Sequence, residues 1–325
     1  MRWIWVAIAV TAGAVARGQS LTAAEQRAVL EANEYVLRGI RFTEKNSLVR
    51  AKAEFERALK IFPKHLDALY NLAVVCEKLK QTEEAVRHYK RYLELKPDDA
   101  DVWNQLGVLY DTGGQRDEAR RAYERALACN PKFGRAHHNL GVLLKEMGQL
   151  DAAQKHLETF VRLEEEAGRR NGDAYYSLGV LYLAQGRLQE AKRCMQKALD
   201  EDPSVPYYNN AMGDIYAATK EYEAALVCYK KAIEKDPKYA LAYSGMGDVY
   251  RQLKNIEQAA RAYHRALELR PDYHLVHFKL GLLYEEAQPA TAVKHFEKYL
   301  ASGKNPEFAN EAKEKIEKLK QARKP

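Results

Sequence analysis

After its first sixteen residues the chain has no apolar run of bilayer-spanning length, so nothing beyond the N-terminus reads as a transmembrane helix. Catalytic signatures are also missing. There is no G-x-S-x-G nucleophile elbow and no H-E-x-x-H pair, and no Ser, Cys or Lys stands beside a suitably spaced base. LGVLY at 106–110 and GMGDVY at 245–250 contain glycines, but no strand precedes them, which excludes a phosphate loop. The chain therefore reads as non-enzymatic, with no cofactor. Clustered positive charge is scarce as well. The formal charge is +7, and residues 304–325 hold seven Lys/Arg against four Glu, with the remaining excess dispersed. That pattern argues against nucleic acid as a partner, although a helical-repeat nucleic-acid binder is the alternative of a different class.

What is present begins at the N-terminus. Met1 and Arg2 precede WIWVAIAVTAGAVA at 3–16, and the run closes on Ala14-Val15-Ala16. A positive start, a short apolar stretch and an A-x-A-like site describe a secretory signal, assigned to residues 1–18. An uncleaved anchor is the other reading. Both put the remainder outside the cytoplasm, periplasmic or secreted. Composition, at 46% hydrophobic and 30% charged, describes a folded chain.

Proline marks a period. Pro63, Pro97 and Pro131, then Pro203, Pro237 and Pro271, recur at 34 residues with one gap. With proline at position 32 of each unit, eight units start at 32, 66, 100, 134, 172, 206, 240 and 274. Position 8 is Gly39, Ala73, Gly107, Gly141, Gly179, Gly213, Gly247 and Gly281. Position 20 is alanine in all eight, from Ala51 to Ala292, the last after a one-residue deletion. Position 24 is Phe55, Tyr89, Tyr123, Leu157, Met195, Tyr229, Tyr263 and Phe296. Positions 4, 7, 8 and 11 share one face of a first helix, and 20, 24 and 27 share one face of a second. Small residues let the two helices approach, large ones fill the space beside them, and the proline ends the second helix. A single hairpin buries only part of its apolar face, so hairpins must stack.

The third unit, with Trp103, Leu106, Gly107, Tyr110, Ala119, Tyr123, Ala126 and Pro131, resembles the tetratricopeptide repeat, and the resemblance covers residues 32–304. It implies an all-α fold, a right-handed superhelical solenoid of antiparallel helix pairs whose first helices line a concave groove. The implied partner is a protein or peptide, in a scaffold for cell-envelope assembly or secretion; a periplasmic scaffold for exopolysaccharide export is the alternative. Mapped onto this sequence, groove positions 2, 5, 6, 9, 12 and 13 supply Tyr70, Asn71, Asn104, Gln105, His138, Asn139, Tyr176, Tyr207, Asn210, Asp214, Arg251 and Phe278, with charged neighbours such as Asp101, Arg135, Asp173, Asp248 and Lys279. Asparagine offers a peptide backbone both a donor and an acceptor, and aromatic rings offer rigid contact area. The Lys/Asn/Arg set with which some family members grip a C-terminal carboxylate is not supplied by any consecutive trio of repeats.

The ends and the exceptions complete the reading. Thr22 to Glu25 forms a capping box, placing a lead-in helix over residues 19–31, and PEFANEAKEKIEKLKQARK at 306–324 reads as a closing amphipathic helix within 305–325. Cys76 takes core position 11, Cys194 and Cys228 take position 23, and Cys129 lies near a helix end, so four free thiols are expected. His137 with His156, and His277 with His295, take the same pair of positions in repeats 4 and 8; without a further ligand at recognisable spacing they read as packing residues and not as a metal site. Repeat 4 runs 38 residues through VRLEEEAGRRNGDAYYSLG at 161–179, with Glu165 where proline is expected. This predicts an elongated second helix, a loop near 168–172, a local change of pitch, and a seam between repeats 1–4 (32–171) and repeats 5–8 (172–304).

Overall fold

The computed structural model describes residues 22–303 and 308–321, and the leader assigned to residues 1–18 lies outside them. Contact density divides the chain into two units, one ending at Phe160 and one beginning at Val161. The first contains α1 (Ala23–Glu44), α2 (Leu48–Ile61), α3 (Leu66–Lys78), α4 (Thr82–Leu95), α5 (Ala100–Thr112), α6 (Arg116–Cys129), α7 (Gly134–Glu146) and most of α8 (Leu150–Glu166). The second contains the last turns of α8, then α9 (Gly172–Ala184), α10 (Leu188–Glu201), α11 (Pro206–Ala218), α12 (Tyr222–Lys235), α13 (Ala240–Gln252), α14 (Ile256–Leu269), α15 (His274–Tyr284), α16 (Pro289–Ala301) and α17 (Ala309–Gln321). Among the described residues every regular element is a helix.

The start is set as the sequence suggests. Thr22 Oγ1 accepts from the Glu25 amide at 3.2 Å, and Glu25 Oε2 accepts from the Thr22 amide at 2.9 Å. Two otherwise orphaned donors of the first turn are thus satisfied. The helix is longer than the lead-in alone, running on to Glu44 as the first helix of repeat 1.

The first seven hairpins turn at position 15, where the backbone enters the left-handed region at Asn46, Lys80, Gly114, Gly148, Gly186, Lys220 and Lys254. The turn at Gly114 shows the bonding: its amide reaches Asp111 O at 2.9 Å and the Gln115 amide reaches Tyr110 O at 2.8 Å, closing the free carbonyls of α5. Repeat 8, one residue shorter, has only 11 residues in α15, and α16 opens on Pro289 in its first turn.

Close helix contact is what the small position 8 permits. A Cβ added to Gly107, Gly213, Gly247 or Gly281 would lie 2.5–2.6 Å from the ring of Tyr123, Tyr229, Tyr263 or Phe296. Those rings are almost fully buried, at 1%, 2%, 0% and 0% exposure. Core clusters in the second unit gather around Tyr229, Tyr263 and Phe296 in turn, one per hairpin.

The irregular segment has the expected long helix. α8 has 17 residues where the other second helices have 13 or 14. It ends at Gly168, φ +62°, whose amide bonds Glu165 O while the Arg169 amide bonds Glu164 O, both at 3.0 Å. Glu164 then holds the loop down. Its carboxylate is 8% exposed and accepts from Arg169 Nη2 at 2.5 Å and from Asn171 Nδ2 at 2.8 Å. Asn171 in turn caps α9 through the Ala174 amide. Arg170 reaches Glu201 at 2.6 Å, and the Tyr175 hydroxyl reaches Glu165 at 2.8 Å. The insertion is therefore a tied loop.

Two outcomes follow from this packing. Gly247→Ala should lower unfolding stability by about 1–3 kcal/mol, read as a shift of the urea midpoint at constant slope, because the ring of Tyr263 has nowhere to retreat. Glu164→Ala should speed tryptic cleavage at Arg169 or Arg170 several-fold; an unchanged nicking rate would show that the carboxylate does not hold the loop. The bonds from Arg169 and Asn171 hold the Glu164 carboxyl below its ordinary range, so this restraint is present above the usual carboxylate range and is lost as pH falls through the lowered value.

Candidate partner-binding face

The residues assigned to a groove separate into two kinds. Position 2 is exposed at Asp67, Asp101, Arg135 and Asp173. Position 5 is mixed: Tyr70, His138 and Tyr176 are half-buried, whereas the others lie deeper. Asn104 is 4% exposed, Asn210 9%, Ser244 1% and Phe278 4%. These side chains face the next hairpin and fill the seam. Phe278 is the clearest correction: it stacks on Phe308 at 4.8 Å and packs on Phe296 and Tyr299, because α17 covers the last hairpin. It is core, not a contact residue.

In the first unit much of the amide capacity is already used. Asn71 Nδ2 donates to Asp67 O in its own helix at 2.8 Å. Asn139 Nδ2 donates to the buried Asn104 Oδ1 at 3.0 Å. Tyr70 is wedged edge-on between Tyr89 and Tyr92, and His138 lies against Phe160. Arg135 pairs with Asp101 at 2.5 Å, an exposed pair of small energetic value. Gln105 is half-buried beside them.

The second unit gathers a denser set. Tyr207 and Tyr208 both donate to Asp173 Oδ1, at 2.6 and 2.8 Å. Tyr176 packs against both rings, at 4.9 and 5.6 Å. One turn further on, Asp214 accepts from the Tyr229 hydroxyl at 2.7 Å and from Asn210 Nδ2 at 3.1 Å. In the following repeat Asp248 accepts from the Tyr263 hydroxyl at 2.7 Å and from Lys279 Nζ at 2.5 Å, while Lys279 also donates to Ser244 Oγ. The core tyrosines at position 24 thus extend their hydroxyls to carboxylates on the first-helix face. Burial, with some repulsion from Asp248, pushes the Asp214 carboxyl up to about 6, against the opposing pull of Tyr229 and Lys279.

Two buried polar atoms here have no partner: Asn210 Oδ1, an acceptor, and Arg251 Nε, a donor. Both residues belong to the face the sequence reading selected. Tyr208 and Tyr229 do not. Tyr208 sits at position 3 and Tyr229 in a core position, and only their hydroxyls reach the carboxylates. The excess of tyrosine, 21 in the chain, is the one signal that pointed toward them.

The two histidine pairs meet inside their own hairpins. His137 Nε2 lies 3.0 Å from Pro131 O, so in neutral His137 that nitrogen carries the proton and Nδ1 accepts from His156 Nδ1, 2.9 Å away. His277 and His295 repeat the contact at 3.1 Å, and burial together with neighbouring positive groups pushes His295 down to about 4. All four cysteines are free, as expected, with Cys76 buried. Two shallow clefts have volumes of about 460 and 240 Å³. One is floored by Trp103, Leu106 and Tyr110, the other by Tyr175, Leu178 and Tyr182, the same repeat positions 4, 7 and 11. Their recurrence in register marks them as a by-product of hairpin stacking.

Models of the tetratricopeptide repeat match residues 43–107, 100–133 and 133–200, and a model described as TPR repeat matches 213–253 and 247–288. The chain belongs to the tetratricopeptide-repeat family, an all-α superhelical repeat class whose members are in general non-catalytic and bind protein or peptide partners. No curated protein matches the chain. Among solved structures, a tetratricopeptide repeat protein from Parabacteroides merdae is similar with a TM-score of 0.65 at 19% identity, over 78% of this chain and 98% of that one. A chain of the APC/C hetero-tetramer Cut9–Hcn1 gives 0.62 at 20% identity, and the match spans 84% of this chain but only about half, 52%, of that one. PilF of Pseudomonas aeruginosa gives 0.55 at 22% identity, over 69% and 96%. Among the described residues no helix is long and apolar enough to cross a membrane.

Asp214→Asn tests the electrostatics of the face. A carboxyl whose pKa is raised in the folded state costs stability as pH climbs from its unfolded value, near 4, through about 6. The asparagine should therefore remove this decline and leave the variant more stable than wild type at pH 8, by up to about 3 kcal/mol, with little difference at pH 4. Urea unfolding at the two pH values measures it.

Proposed function

We propose that this protein is an exported, non-catalytic scaffold that holds an extended segment of a partner protein against the first-helix face of its second unit. The observation that carries the reading is the pair of unsatisfied buried atoms beside the tyrosine–carboxylate row: Asn210 Oδ1 lacks a donor and Arg251 Nε lacks an acceptor. A peptide backbone supplies both a donor and an acceptor, whereas leaving such groups unpaired costs about 1–3 kcal/mol each. Tyr176 and Tyr207 add aromatic area of the kind that dominates binding interfaces. Asp173, Asp214 and Asp248 outnumber Lys279 and Arg251 along the row, which favours a segment carrying lysine or arginine. The apolar N-terminal stretch supports export, and with it a role in envelope assembly or secretion.

The test is selection of peptides by the full-length mature protein, followed by affinity measurement on the recovered sequences. Basic extended peptides should be enriched. Tyr207→Ala combined with Asn210→Ala should weaken their binding at least tenfold, roughly 1.4 kcal/mol, with the helical circular dichroism at the assay temperature retained. Binding that survives the double variant would remove the site from this face. A flat titration with RNA at low salt is expected.

A further inference from the structure

One cluster in the first unit belongs neither to the partner-binding face nor to the repeat pattern. At position 11, where the other repeats place Phe, Tyr or Leu, repeat 2 places Cys76. At position 19 it has Glu84 and at position 23 His88, and no other repeat combines these three residue types. The hairpin of α3 and α4 brings them together, with one ligand atom from each lying within 4.8 Å of the others. Cys76 Sγ is 3.7 Å from Glu84 Oε2. In a tetrahedral site with sulfur at about 2.3 Å and oxygen at about 2.0 Å from the ion, those two ligands stand about 3.5 Å apart. The existing separation is already that of two corners of such a site.

His88 adds a second, independent sign. Its Nδ1 is buried and meets no partner.

We propose that Cys76, Glu84 and His88 form a binding site for a divalent transition-metal ion of the zinc class. Thiolate, imidazole and carboxylate together suit zinc and exclude magnesium and calcium, which take oxygen ligands. On binding, the Cys76 thiol releases its proton to solvent, the sulfur–metal bond forms and a metal-bound water leaves. Three protein ligands leave a fourth position for water. Glu84 and His88 are both half-buried, so the ion has a way in, while Cys76 closes the inner side. Lys52, reaching across from α2, competes: its ammonium bonds Glu84 Oε2 at 2.5 Å and Gln81 Oε1 at 2.9 Å. The ion takes the place of that ammonium on Glu84, so the site is a cation exchange within an existing charged cluster. Glu56, Arg87 and Arg91 are the other charged groups beside it.

Titration of the reduced full-length protein with cobalt(II) reads the site directly. A saturable near-ultraviolet thiolate-to-cobalt band should appear, zinc should abolish it, and magnesium should leave it unchanged. Cys76→Ser and His88→Gln should each lose the band, whereas His277→Gln should keep it. His88 is only half-buried, so its variant remains informative if the serine variant folds poorly. Zinc should raise the melting temperature of wild type and not of His88→Gln. Absence of a band at excess cobalt, or a band that persists in Cys76→Ser, would overturn the proposal.

Discussion

The contact between position 8 and position 24 is the constraint on which each hairpin depends. A ring or long apolar side chain on the second helix lies directly over a backbone without a side chain on the first, closer than any Cβ could tolerate. This sets the distance between the helices, and so determines which other side chains meet. Repeat 2 carries Ala73 at the same place opposite Tyr89, with both fully buried, so the requirement there is for a small residue. Because burial of such rings is the main favourable term for every hairpin, the position tolerates little exchange.

The same ring has a second use. At three of the four tyrosines at position 24 the hydroxyl ends on a carboxylate at position 9 or 12 of the first helix: Tyr89 on Glu77, Tyr229 on Asp214 and Tyr263 on Asp248. A buried core group thereby orients an acidic side chain on the face offered to a partner. Burial of those acids is costly without the hydroxyl, and the hydroxyl would be costly to bury without the acid. The electrostatic character of the face is thus built from inside the hairpins, and the three carboxylates of the second unit are held in fixed positions and not left free in solvent.

The tied loop after α8 shows how a repeat protein accommodates an irregular unit. Loss of the proline lengthens the helix, and the extra turn would carry Glu164 into a half-apolar setting with nothing to neutralise it. Arg169 and Asn171, both within the insertion itself, supply the partners. The insertion brings its own solution, which is why a longer unit does not disturb the start of α9.

Periodicity alone determined the helices, their pairing and the contents of the core, because a 34-residue spacing of small, large and proline residues has one physical reading. The capping box at Thr22, the long α8 and the covering helix over Phe308, Ala312, Ile316 and Leu319 were legible for the same reason: each rests on local chemistry between residues a few positions apart. The face was legible only in part. Sequence position says which helix a residue is on, but exposure at position 5 depends on the neighbouring hairpin, and so Phe278 and Asn104 turned out to be interior while Tyr208 and Tyr229 contribute hydroxyls to the acids. The convergence of Cys76, Glu84 and His88 was likewise invisible along the chain, since Cys76 fits a core position perfectly well by itself. Only tertiary packing decides which side chains share a volume, because that depends on the crossing of two helices and not on the spacing within either one.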